Sequence, residues 1–351
     1  MADYTTINDS EAYFHTATWT GNATARSIVF DGETDMQPDM VWVKERSASE
    51  GAKLFDVARG ATNLVQPTAA NLEQDQDTSL TSFDSDGFSL GIDTGAIVND
   101  DGVTTSAWCW KAGGSGSSNT TGTINTTKTS VETTSKFSIM TYTGNGSAGA
   151  TIGHGLGVKP HFIMQKNRDD NENWQAQHKY YGATHYATFN TSNTFDANSA
   201  RWNDTEPTTD VISLGSDSSV NLNTEKMVLF AWSEVRGFSK FGTYMGNGNA
   251  DGPMIYTGFS PKLVITKLGS GAGNWVMKTA GFGDAHNPQT EFLYGSTTAA
   301  EGDGSHMDFL SNGFKWRDSE TNNNQDGSTY VYMAWAQAPY LNSNGVPCNA
   351  R

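Results

Sequence analysis

Apolar residues recur at every second position in short runs along this chain, and nowhere hold a helical period for ten residues or more. Phe137, Ile139 and Thr141 alternate with Ser138, Met140 and Tyr142, as along a strand. From Met227 to Trp232 both alternating sets are apolar, with Met227, Leu229 and Ala231 on one side and Val228, Phe230 and Trp232 on the other. Such a strand is expected to be buried on both faces. Met40-Val-Trp-Val-Lys44 and Tyr330 to Trp335 are likewise β-branched and aromatic. Gly, Ser, Thr, Asn and Asp crowd the stretches between, with turns roughly every 8 to 12 residues. The predicted fold class is all-β, built of antiparallel β-sandwiches of jelly-roll or concanavalin-like type.

One frame occurs three times. Pro38, Val41 and Lys44 match Pro160, Ile163 and Lys166, and again Pro261, Val264 and Lys267. A Gly-Asn pair precedes each copy: Gly21-Asn22, Gly144-Asn145 and Gly246-Asn247. Roughly 70 to 75 residues after each proline stands Ala-Trp, as Ala107-Trp108, Ala231-Trp232 and Ala334-Trp335. This spacing predicts three copies of one folding unit: a sandwich over 1–111, a Gly/Ser/Thr linker over 112–135, a second sandwich over 136–237, and a third over 238–351 with a polar tail. The prolines are expected at strand starts. Lys44, Lys166 and Lys267 alternate with buried positions and are expected to face solvent. Each tryptophan strand is expected to close the interior of its own sandwich. Residues 63–81 are polar and predict a long loop with one helical turn.

Aromatic residues make up 11% of the 351, enough to furnish a core in each unit. The formal charge of −16 and the lack of a basic run exclude phosphate-rich partners, so no nucleic acid is expected. Two cysteines, Cys109 and Cys348, make no disulfide framework. The first residues lack the basic and apolar regions of a signal peptide, and the run from Met227 to Trp232 is too short to span a bilayer. The expectation is a soluble protein made in a cytoplasm, with no membrane insertion.

Candidate chemistry is sparse. Gly144-Asn-Gly146 and Gly153-His-Gly-Leu-Gly157 lack the Gly-Lys-Ser/Thr of a phosphate loop and read as β-turns. His154, His161, His178 and His185 have no zinc-site spacing. Asp84, Asp86, Asp100, Asp101, Asp169 and Asp170 fall in turns, which suits solvated loops better than a glycosidase pair or a calcium loop. No nucleophile elbow is present. No catalytic residue, metal or cofactor is therefore expected. Trp174 and Trp275, each eight residues after a frame lysine, and Tyr180 and Tyr181 are the candidates for stacking on a sugar. The matched positions of the two tryptophans suit core packing as well.

Residues 137–160, Phe-Ser-Ile-Met-Thr-Tyr-Thr-Gly-Asn-Gly-Ser-Ala-Gly-Ala-Thr-Ile-Gly-His-Gly-Leu-Gly-Val-Lys-Pro, resemble repeats in structural proteins of tailed bacteriophages, marine ones especially. Phe83 to Gly91, Ala107 to Gly114 and Tyr4-Thr-Thr-Ile7 fit the same family, so the likeness spans nearly the whole chain. The first copy departs from the family's Gly-Leu-Gly-Val turn. The resemblance implies a virion protein with lectin-like sandwiches and brings no catalytic residues. The expected function is a non-enzymatic structural protein on the particle surface, of tail-fibre or adhesin type, contacting host glycans. The alternative is a capsid decoration protein, and a glycan hydrolase stands third. Expected partners are other virion proteins, further copies of the chain and a host cell-surface glycan.

Overall fold

The computed structural model describes residues 4–283 and 286–348. The chain is all β, and among the described residues helix is confined to the single turns Ser199–Trp202, Ser218–Asn221 and Thr321–Asn324. Three large antiparallel sheets follow one plan. Each has an opening strand (Phe14–Thr20, Phe137–Thr143, Ser239–Met245), a frame strand (Met40–Glu45, Phe162–Asn167, Phe259–Leu268) and a closing strand (Thr104–Trp110, Lys226–Trp232, Thr329–Pro339). The closing strand always lies between the other two. Lys53–Asp56, Gln175–His178 and Trp275–Thr279 then pair with the far side of each frame strand.

A smaller sheet covers the outer face of each large one. In the second unit Ala150–Gly153 pairs with Val211–Leu214, and Ile152, Ile212 and Leu214 pack on Met140, Leu229 and Ala231. In the first unit Ile28, Phe88 and Leu90 pack on Val41, Ala107 and Cys109. These are sandwiches in which alternate residues of the two inner faces interdigitate.

The other face of each closing strand does not close a private interior, as the sequence had suggested. It enters one core shared by all three sheets, which takes in Trp108, Trp110, Phe230, Trp232, Met333 and Trp335. At its centre three indoles meet edge to face. Trp110 and Trp335 are 5.3 Å apart, Trp110 and Trp232 6.1 Å, and Trp232 and Trp335 6.2 Å, with interplanar angles of 75°, 67° and 70°. Distances and angles this alike describe an approximate three-fold arrangement.

The register corrects the alignment of the first copy. Trp110, Trp232 and Trp335 stand opposite Met40, Phe162 and Leu263, and Lys44, Lys166 and Lys267 stand opposite Ser106, Val228 and Val331. Cys109-Trp110, not Ala107-Trp108, therefore matches Ala231-Trp232 and Ala334-Trp335. Trp108 takes the place of Phe230, and its Nε1 donates to Thr279 Oγ1 of the third unit at 2.9 Å. Of the prolines, Pro38 and Pro160 precede their strands, whereas Pro261 lies inside one, where the register shifts.

The frame lysines are buried, contrary to the alternation argument. Their face of the sheet is the inner one, so no solvent is available, and each ammonium instead ties down main-chain carbonyls. Lys166 Nζ donates to the oxygens of Asn167 (2.6 Å) and Asp170 (3.0 Å), and Lys267 Nζ to those of Leu268 (2.8 Å) and Gly271 (3.4 Å). Lys44 reaches Glu50 O at 2.6 Å and Thr297 O of the third unit at 3.2 Å. Burial pushes all three down to about 8.

The 112–135 segment is not a free linker. Lys128–Glu132 joins the second large sheet beside the opening strand, Ser117 bridges Thr129, and Ile124 enters the outer core. Residues 63–81 likewise hold strand rather than a helical turn, ending Gly60–Val65 and forming Gln74–Asp75 and the start of Leu80–Asp84.

One hydrogen-bonded corner recurs in every unit. Asn99, Asn221 and Asn324 are buried at the turn before the closing strand. Their Oδ1 atoms accept the amides of Asn22 (3.2 Å), Asn145 (2.9 Å) and Asn247 (2.8 Å), the asparagines of the Gly-Asn pairs. Two residues before each pair, Trp19, Tyr142 and Tyr244 donate to the carbonyls of Val98, Val220 and Asn323 at 3.1, 2.7 and 2.8 Å. The glycines are required by proximity: a Cβ on Gly21, Gly144 or Gly246 would fall 2.0, 2.2 or 2.2 Å from a main-chain oxygen.

The joints between units also correspond. Two residues past the frame lysine, Arg46 grips Glu301 with two bonds of 2.8 and 2.7 Å, and Arg168 grips Glu73 with bonds of 2.8 and 2.6 Å. Bidentate geometry of this kind fixes orientation as well as adding energy. The carbonyls of Arg46 and Arg168 accept the amides of the same glutamates at 2.7 and 2.8 Å. At the third joint Gly269 O accepts from Thr194 Oγ1 at 3.1 Å. The first unit thus holds the third, the second holds the first, and the third holds the second.

Candidate interaction groove

A groove of about 880 Å³ runs between the second and third units. Its floor is the opening strand Ser239–Met245, which lies at the edge of its sheet. One wall is the outer strand Met254–Tyr256, itself an edge, and the other carries Lys159, His161, Lys179 and Tyr180. Four of the eight exposed large apolar side chains among the described residues gather here. Tyr180 is 55% exposed, Tyr256 49% and Met254 43%, and Met245 at the end of the strand is 63% exposed.

Cations stand among these aromatics in a chain of net negative charge. Lys159 pairs with Glu206 and Lys179 with Glu234, at 2.5 and 2.6 Å. Lys240 Nζ donates to Tyr256 O at 3.0 Å and sits 5.4 Å from the Tyr256 ring centre. His161 Nδ1 accepts the Glu234 amide at 3.0 Å, which leaves its proton on Nε2. Burial, then the nearby Lys179, lowers its pKa, and Glu234 opposes them. The imidazole is therefore a neutral donor at pH 7. Lysines, a donor imidazole, tyrosines and a strand edge with no partner among the described residues line this surface.

The four aromatic candidates separate. Trp174 and Trp275 are fully buried, so neither can stack on a sugar. Trp174 Nε1 donates to Gln66 O of the first unit at 2.7 Å, and Trp275 packs on Phe189 at 4.6 Å. Tyr181 stacks on Phe195 at 4.2 Å and 15°, wedged against Gly269 of the third unit. Only Tyr180 faces the groove. Sequence reasoning missed Lys240, Met254 and Tyr256. The available signal was Met254-Ile-Tyr256, apolar at all three positions where the first unit has Ser27-Ile-Val29 at the same register, polar at the first.

The histidines and most of the turn carboxylates have structural partners. His178 is buried with Nε2 3.3 Å from Tyr332 O, and His154 Nδ1 accepts the Leu156 amide at 3.1 Å. Burial lowers them to about 3 and about 4. Asp84 accepts both Ser82 and Ser89 hydroxyls at 2.7 Å. Among the described residues no group of three or more His, Cys, Asp or Glu side chains is placed to hold a metal ion.

Fold and groove together define a β scaffold of three sandwiches with a strand edge on its surface that no described strand pairs. Within that class the chain belongs to the DUF7483 family, a domain of unknown function, whose model matches residues 9–339. Neither a curated protein nor a solved structure matches it.

Proposed function

We propose that the chain is a non-enzymatic structural protein of the surface of a tailed-phage particle, and that it works by docking other virion proteins. The supporting observation is the groove between the second and third units, a strand edge with exposed aromatics and lysines on a scaffold locked by its central indoles. Such a body suits holding a partner in a fixed geometry. The repeats' likeness to phage structural proteins supplies the setting. Tail and head location both fit this reading, as fibre-type protein or as decoration protein.

The test is negative-stain imaging of particles carrying a C-terminal gold label on this chain. Regular label on tail or head is expected, and purified particles free of the chain would overturn the proposal. A second reading, glycan contact, is favoured by the exposed ring of Tyr180. Binding of the purified protein to a host-surface glycan array, lost in Tyr180→Ala, would support it, and a blank array would remove it.

A further inference from the structure

The approximate three-fold arrangement makes three equivalent grooves, each between an opening strand and the outer strand of the same unit. One of them is filled by the chain itself. In the second unit Lys128–Glu132 pairs with the opening strand, with Ser130 opposite Ile139, while Ile124 bridges the outer strand at Ile152 in parallel. The filling segment starts where Ala112 and Gly114 donate to Asp39 Oδ2 of the first unit at 2.7 and 3.2 Å. Asp39 follows Pro38 as His161 follows Pro160 and Lys262 follows Pro261. His161 and Lys262 line the two other grooves, of about 880 and 460 Å³, which no described segment fills.

The main chain of the larger open groove is set up to receive a strand. The amide of Gly246 donates to Ser328 O, and that of Ala336 to Phe238 O. Even-numbered residues of the opening strand therefore face the closing strand. The N–H and C=O groups of Phe241, Thr243 and Met245 point into the groove and have no main-chain partner among the described residues. A bare edge of this kind is a template for another strand.

We infer that this groove binds an extended segment of a partner protein as an added antiparallel strand, repeating what residues 112–132 do in the second unit. Its chemistry follows from the walls. Met254 and Tyr256 take a β-branched or other apolar side chain, as the second unit's outer core takes Ile124. Lys240, whose ammonium meets a carbonyl and no carboxylate among the described residues, favours a carboxylate on the segment. The occupant is therefore a Ser/Thr-rich strand with isolated apolar residues and a carboxylate, as residues 112–132 have Ile124, Val131 and Glu132. Main-chain bonds supply the affinity and alternate side-chain pockets the selectivity. The inference stands on strand edges and does not need the virion setting.

The probe is a fluorescent peptide of residues 112–132 of this chain, titrated into the full-length protein and read by anisotropy. Saturable binding is expected, weakened about tenfold or more by Thr243→Pro, which removes one edge N–H. Thr243→Ala should bind within about twofold of the parent, because the main chain is unchanged. A peptide N-methylated at Ser130, whose amide meets the opening strand in the second unit, should fail. Hydrogen exchange on the unaltered protein provides a readout that no misfolded variant can confuse: the Phe241, Thr243 and Met245 amides should slow when peptide is added. No binding at millimolar peptide, or binding with no slowing at those amides, overturns the inference. A peptide-free dimer abolished by Thr243→Pro would overturn it too, making a second copy of this chain the occupant.

Discussion

Replacing Trp232 by alanine tests whether the three sheets share one core. Trp232 lies within 4.8 to 6.3 Å of Phe137, Phe162, Trp110, Trp335 and Phe230, ring centre to ring centre, so the site is walled by rings that cannot collapse into the space. Truncation of such a residue costs about 3 to 5 kcal/mol, and the rigid walls argue for about 5. If all 351 residues unfold together, at roughly 2.1 cal/mol/K each, the melting temperature falls by about 7 °C. If the second unit unfolded alone, with roughly 100 residues, its own transition would fall by about 24 °C and the others would stay. Differential scanning calorimetry separates the two. A single transition lowered by the smaller amount is expected. A split thermogram with one strongly shifted peak would refute the shared core. In a double-mutant cycle, Trp232→Leu and Trp335→Leu should couple by about 0.5 to 1.5 kcal/mol although they lie in different units.

Three further outcomes follow from other contacts. Asn221→Ala, which strips donors from Ser147 O and Gly215 O and an acceptor from the Asn145 amide, should cost about 2 to 4 kcal/mol in urea denaturation. Asn221→Asp should cost more, because a carboxylate would face those carbonyls. Glu73→Ala removes one partner of fully buried Arg59 and the bidentate partner of Arg168; loss of about 3 to 5 kcal/mol is expected, against little change for exposed Lys226→Ala. The frame lysines titrate near 8 when folded and 10.5 when unfolded, so between those values the unfolded chain binds more protons and stability rises with pH. Buried Lys53 adds to this rise and the raised Cys109 thiol opposes it. Urea midpoints should climb less steeply from pH 8 to 10 in Lys166→Met than in the parent; equal slopes would contradict the assigned burial.

Short-range order was open to reading from the sequence, and long-range placement was not. The both-face apolar pattern of Met227 to Trp232 announced a strand buried on two sides, and the all-β class followed from patterns of this kind. Alternation says which residues share a face but not what lies beyond it. A neighbouring unit can cover a face as well as a second sheet can, so alternation alone sends the frame lysines to solvent and the tryptophans to separate interiors. The slip from Trp110 to Trp108 has a similar origin. Both lie on one face, and the Ala-Trp doublet outweighed the spacing, although Trp110 and Trp232 each stand 72 residues after their proline. The buried Asn99, Asn221 and Asn324 follow their Gly-Asn partners by 77, 76 and 77 residues, a signal present but hidden by turn composition. The groove could not be seen, because it is made by units far apart in the chain.

Closure of the ring explains where binding capacity is left. Each unit contacts the next through a different surface from the one it offers to the previous, a head-to-tail arrangement that ends only if the rotation closes. Here it closes after three, with Arg46 on Glu301, Arg168 on Glu73 and Gly269 on Thr194. The inner face of every large sheet is then covered by the other two units and the outer face by its own small sheet. What closure cannot cover is the edge formed by the opening strands, which runs outside the ring. Exposed edges invite uncontrolled pairing unless they are blocked or given a partner. The second unit's edge is blocked by residues 112–132, which a short connection of the kind that joins the second and third units could not have reached. That difference gives the long Gly/Ser/Thr stretch a structural reason to exist, and it leaves the third unit's edge, between Tyr180 and Tyr256, as the larger place where a strand from elsewhere completes the sheet.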